Sequence, residues 1–139
     1  MRRKVLFLCT GNSAHSQMAE AITTVYWGSE WAAVSAGTQP ANALHPAALK
    51  ALAEIGIDQS EARPKLADQF RGEPFDLVVT VCDSAAQECP AWLGSGKRVH
   101  LGFPDPAAAQ GTDDQRMDAF RSVRDGLQER LAGLFGNPD

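Results

Sequence analysis

The chain has 139 residues, 44% of them apolar and 22% charged, enough for one domain spanning 1–139 with its own core. A net charge of −4, with no Lys/Arg run longer than Arg2-Arg3-Lys4, excludes the electrostatic footprint of a nucleic-acid or anionic-membrane binder. No apolar run approaches the roughly 20 residues of a membrane span. The start, Met1-Arg2-Arg3-Lys4 and then Val5 to Cys9, has an apolar stretch too short for a signal peptide, so a cytoplasmic protein is expected.

In chain order, Lys4 to Leu8 reads as a buried strand and Thr10 to Ser13 as a turn, with a helical pattern beginning at Ser16. Ala32 to Ser35 is a second short strand, closed by Gly37. His45-Pro46 opens a helix carrying Leu49, Leu52, Ala53 and Ile55, with Gly56 as its stop. Phe75 to Val81 is β-branched and almost wholly apolar, as a central parallel strand should be. Arg98 to Leu101 is a last strand. A long helix then starts at Asp113 or Asp114, with Met117, Phe120, Val123, Leu127, Leu131 and Leu134 apolar. Alternating strands and helices imply an α/β fold: a three-layer arrangement with a four-stranded parallel sheet flanked by helices. Active sites of such folds lie beyond the carboxyl ends of the strands, where Cys9, Cys82 and Asp105 follow predicted strands.

Three cysteines do not make a disulfide scaffold; in a reducing compartment they serve catalysis or simply fill the core. Around Cys9, the run Thr10-Gly11-Asn12-Ser13-Ala14-His15-Ser16 is a strand, a tight turn and a helix start. Its successive backbone N–H groups and the helix dipole form an anion nest, and a cysteine at its mouth is a competent nucleophile. The alternative is a buried cysteine before an ordinary Gly-Asn turn. Cys82 and Cys89 are seven positions apart, about two helical turns and roughly 10 Å, too far to bond unless the segment unwinds. They read either as a redox pair or as two small core residues. Zinc is a poor fit, because no C-x-x-C pair or suitably spaced histidine is present, so no metal is expected. Asp105 lies between Pro104 and Pro106, a rigid turn or a fixed acid. His45 and His100 read as capping or packing residues, Met18 and Met117 as core.

Val5-Leu6-Phe7-Leu8-Cys9-Thr10-Gly11-Asn12-Ser13, followed by Ser16-Gln17-Met18-Ala19-Glu20-Ala21, resembles the catalytic loop of the low-molecular-weight tyrosine phosphatase superfamily. With Cys82-x₆-Cys89-Pro90 and His100-Leu101-Gly102-Phe103-Pro104-Asp105-Pro106-Ala107, the chain is similar to that superfamily's thioredoxin-coupled arsenate reductases from about Lys4 to Leu134. Where phosphatases usually carry an aromatic residue after Asp-Pro, this chain has Ala107.

The resemblance implies an arsenate reductase active in detoxification. Cys9 is its nucleophile, Ser16 donates to the thiolate, and Thr10, Gly11, Asn12, Ser13, Ala14 and His15 bind the oxyanion. Asp105 is the general acid, and Cys82 and Cys89 are the redox pair. Arsenate is the substrate, with phosphate or sulfate competing; thioredoxin is the reductant, no bound cofactor is needed, and a monomer is the default. Asn12, Glu20 and Ser35 match positions that bind potassium in some of these reductases, with Lys65 where others supply a carboxylate.

One departure is chemical. The family's loop arginine is His15 here. An arginine grips an oxyanion with a charged planar fork, while an imidazole offers one donor to a given oxygen. Losing a charge-assisted contact of about 1.5–3 kcal/mol weakens oxyanion binding about ten- to a hundredfold. Two alternatives therefore accompany the reductase reading: a phosphomonoesterase using Cys9 and Asp105, and an oxyanion-binding module impaired at His15.

Overall fold

The computed structural model describes residues 2–82, 97–103, 106 and 109–136. Four strands, β1 (Arg3–Cys9), β2 (Trp31–Gly37), β3 (Leu77–Cys82) and β4 (Lys97–Phe103), form one sheet in the order β2-β1-β3-β4. Every pairing is parallel. Central β1 is apolar on both faces because both faces are covered, and Val5, Leu6, Phe7 and Leu8 are wholly buried. Each such side chain contributes about 1.5–3 kcal/mol of transfer free energy.

Among the described residues the helices are α1 (His15–Trp27), α2 (Pro46–Ala53) and α3 (Asp113–Phe135), with a short 3₁₀ turn over Ala67–Phe70. Val5, Phe7 and Cys9 join the buried faces of all three helices in the larger core cluster. Leu6 and Leu8 point the other way, to Ala36, Ala67, Phe75 and Val78. The two-residue alternation of β1 thus divides the molecule into its layers.

Local chemistry sets the element ends. Gly56, at φ +80°, follows the turn that closes α2, where a side chain would be strained. α2 ends at Ala53, before the expected Ile55, and Ile55 instead donates its N–H to Leu52 in that turn. α3 begins with a capping box: Thr112 Oγ1 accepts from the Gln115 N–H at 3.1 Å, and Gln115 Oε1 accepts from the Thr112 N–H at 2.9 Å. Met117, Phe120, Val123, Leu127 and Leu131 are buried along α3, as their spacing predicts. Between Thr80 and Cys82 the β3–β4 register slips by one residue, so that Cys82 faces Phe103. The strands β1 to β4 therefore deliver Cys9, Gly37, Cys82 and Phe103 to one edge of the sheet.

Candidate active site

The first strand ends at Cys9, 3% exposed, and α1 begins at His15. The turn between them is shaped by its neighbour, the segment 38–45. Thr38 N–H donates to the Cys9 carbonyl at 3.1 Å, and Gln39, Ala41 and His45 N–H donate to Thr10, Gly11 and Ser13, each at 2.9 Å. Across a trans peptide, a carbonyl and the next N–H point opposite ways, and no cis peptide occurs among the described residues. The N–H groups of Thr10, Gly11, Asn12 and Ala14 therefore turn away from 38–45. The Asn12 N–H bears this out, donating to Cys9 Sγ at 3.2 Å. Amides turned this way at the start of a helix have the geometry from which anion nests are built.

Gly37 makes the close approach possible. A methyl group there would collide with the Thr10 carbonyl oxygen and the Asn12 backbone nitrogen. Asn12 itself sits at φ +51°, the left-handed region that asparagine enters more readily than most residues. Its wholly buried side chain holds the turn from below. Asn12 Oδ1 accepts from the Lys65 N–H at 2.8 Å and from Gln17 Nε2 at 3.0 Å, while Nδ2 donates to Ser16 Oγ at 2.7 Å. Ser16 Oγ lies 2.9 Å from Cys9 Sγ. Ser16 Oγ accepts from Asn12 and keeps its own proton, which a Cys9 thiolate, able only to accept, would receive.

The pattern of the low molecular weight phosphotyrosine protein phosphatase family matches residues 4–137. The chain belongs to this family. Curated relatives include an arsenate reductase of Halalkalibacterium halodurans, 49% identical over 132 residues and 94% of each chain. Another, from Bacillus subtilis, is 46% identical over 132 residues, again covering 94% of each chain. A solved arsenate reductase in its phosphate-binding state superposes with a TM-score of 0.80 at 30% identity, covering 95% of each chain. The parallel sheet and the helices among the described residues match the phosphatase-like fold.

Within that family frame, the structure gathers Cys9 through Ser16 into one cradle, with Asn12, Ala14, His15 and Ser16 buried and Thr10, Gly11 and Ser13 partly exposed. His15 is 4% exposed at the first position of α1. Cys82 ends β3, the strand next to β1, so its backbone reaches the edge that carries Cys9. Cys89 and Asp105 lie outside the described residues, as does Ala107. His45 caps α2, its Nδ1 accepting from the Ala47 N–H at 3.1 Å, and its ring lies 4.6 Å from that of Phe120. His100 pairs with the Thr80 hydroxyl. Among the described residues no helix is long and apolar enough to cross a membrane.

Beneath the cradle, Ser35 Oγ donates to Glu20 Oε1 at 2.9 Å, and the Lys65 ammonium stands 3.7 Å from the same oxygen. The Lys65 ammonium also donates to the Arg63 carbonyl at 3.3 Å. A cation fixed to the chain thus faces the carboxylate of Glu20.

Two residues of this network, Gln17 and Gln59, were invisible to sequence reasoning. Gln17 sits in a motif whose informative members are Cys9, Asn12 and Ser16, and nothing local says that a helical glutamine is wholly buried. Gln59 lies in a polar stretch with turn composition.

Proposed function

We propose that the chain reduces arsenate to arsenite through a cysteine relay regenerated by thioredoxin. One observation carries the reading: a buried Cys9 sulfur receiving the Asn12 N–H and the Ser16 hydroxyl at the mouth of an inward-facing amide nest, in a chain whose relatives are arsenate reductases. Hydrogen bonds to sulfur favour the thiolate, the nucleophilic form. The domain is taken as the single unit 1–139, cytoplasmic and monomeric.

In this mechanism the Cys9 thiolate attacks arsenic of a bound arsenate, and one oxygen departs with a proton from Asp105. The Thr10–His15 amides hold the remaining oxygens, with His15 as the side-chain donor. Cys82 then attacks Cys9 Sγ. The sulfur–arsenic electron pair stays on arsenic, which leaves as arsenite, and a Cys9–Cys82 disulfide forms. Cys89 attacks Cys82, Cys9 departs as thiolate, and thioredoxin supplies two electrons to reopen the Cys82–Cys89 disulfide. The tethered Lys65 ammonium takes the electrostatic part of a cation near Glu20, so no metal is invoked.

Arsenite production with thioredoxin, thioredoxin reductase and NADPH tests this, comparing the chain with its His15→Arg and Cys82→Ser variants. The expected result is turnover that disappears in Cys82→Ser and binds arsenate about tenfold or more tightly in His15→Arg. Turnover confined to His15→Arg would mean an intact relay with a weakened grip on the oxyanion. Hydrolysis of phosphomonoesters surviving in Cys82→Ser, without arsenite from any variant, would replace the reductase with a phosphatase.

A further inference from the structure

The amides under the cradle have a direction, and it is fixed at three independent points. The Lys65 backbone N–H can only donate, so the Asn12 atom it meets at 2.8 Å is the carbonyl oxygen, and Asn12 must present its NH₂ to Ser16. The Arg63 carbonyl can only accept, so the Gln17 atom 3.1 Å from it is nitrogen, which also donates to Asn12 Oδ1. That leaves Gln17 Oε1 facing Gln59 at 3.2 Å. The Glu20 carboxylate accepts the other Gln59 proton at 2.9 Å. Donation therefore runs one way from Gln59 to Gln17, Gln17 to Asn12 and Asn12 to Ser16, and a Cys9 thiolate, which can only accept, takes the Ser16 proton.

We propose that Gln59 is a positioning residue for the Cys9 thiolate, acting as the first donor of this relay. Each bond polarises the next, so a donor at the far end strengthens the Ser16 hydroxyl as a donor to sulfur. Gln59 also ties Gln17 and Glu20, one helical turn apart on α1, to the 57–65 segment whose Lys65 and Arg63 backbone groups hold the same network. Both roles use Gln59 solely as a donor, since its Nε2 makes both contacts. The proposal rests on Cys9 as the nucleophile of the mechanism above, but not on arsenate being the substrate.

The chemistry separates a donor from a mere space-filler. Gln59→Met keeps the length and the packing and removes both donors. Gln59→Lys alters the packing and can only donate. The measurement is the rate of Cys9 alkylation by iodoacetamide against pH, read on the Cys9 peptide by mass spectrometry with circular dichroism as the check on folding. In Gln59→Met the profile should move to higher pH and Cys9 alkylation at pH 6 should slow about three- to tenfold. Gln59→Lys should stay within about twofold of the parent. If Gln59→Met loses its native spectrum, Gln59→Glu, an acceptor of the same length, carries the same expectation of slowing. Parent-like profiles in the folded donor-less variant, or equal slowing in Met and Lys, would overturn the proposal. Because alkylation needs no arsenate, absence of arsenite production would count against the function and leave this result standing.

Discussion

Two polar networks join the 46–65 region to the helices, and they are built from opposite materials. Under the cradle the links around the wholly buried Asn12, Ser16 and Gln17 are neutral amides and hydroxyls, and charge enters only at the periphery, at Glu20 and Lys65. Between α2 and α3 the links are ion pairs. Glu54 meets Arg121 at 2.8 Å and Arg124 at 2.9 Å, and Arg121 and Arg124 also meet Asp118 and Asp125. The Glu54 and Arg121 side chains are about a third exposed. Charges in water interact weakly and tolerate displacement, whereas a buried amide without its partner carries its full desolvation cost. The first network can therefore fix one geometry to tenths of an ångström, and the second mainly clamps two helices. An exception sits in the second: Arg124, largely buried, donates to the Ala51 carbonyl at 2.9 Å and so ties α3 to the last turn of α2.

The strongest way to break the comparison is Asn12→Ala. It removes a partner from the Lys65 N–H, Gln17 Nε2 and the Ser16 hydroxyl at once and puts alanine at φ +51°. Urea denaturation should show a loss of about 2–5 kcal/mol. Arsenite production should fall about 100-fold, since ångström-scale displacement of reacting groups has that effect. A folded variant with near-parent turnover would mean that the amide network does not set the cradle.

Gly37→Ala probes the same cradle from the side of β2. Its methyl group would meet the backbone of Thr10 and Asn12, neither of which has a flexible end to move. Stability should fall by about 1–3 kcal/mol, with turnover losing more than that destabilisation explains. A variant that loses stability alone would show the loop to be more compliant than its hydrogen bonds to 38–45 suggest.

The ion-pair network predicts the smallest effect. The hydrogen bond from Arg121, helped by Arg124, lowers the Glu54 carboxyl from 4.5 to about 2. A depressed carboxyl stabilises the fold above its unfolded value and loses that contribution as pH falls through the folded one. The thermal midpoint of the parent should therefore drop as pH goes from 4.5 towards 2, and Glu54→Gln should start slightly lower and follow a flatter course. Added salt should shrink the difference. An identical acid profile in both proteins would mean that the pair is too solvated to matter. Turnover at neutral pH should not change.

Much of this was legible in the chain. The Val5–Leu8 run fixed a doubly covered strand because nothing polar interrupts it. The apolar spacing of Met117 to Leu131 fixed the buried face of α3, since a helix has only one way to bring those positions together. Cys9, Asn12 and Ser16 were readable as a cradle from a strand, a turn and a helix start in succession. Strand limits were less so: β1, β2 and β4 extend beyond the predicted runs through Arg3, Cys9, Trp31, Gly37, Lys97 and Phe103. Those end residues owe their conformation to neighbouring strands rather than to their own preferences.

Sequence alone determined the layers, the nucleophile candidate and the chemistry of its loop, because each depends on residues close together in the chain. Tertiary structure decided what holds that loop: the carbonyls claimed by 38–45, the contact that requires a glycine at 37, and the donor relay entering from Gln59. These depend on segments more than 20 residues distant, whose amides read alike in sequence whether they face water or each other. Only the fold removes the water, and only then does the direction of each hydrogen bond acquire a consequence.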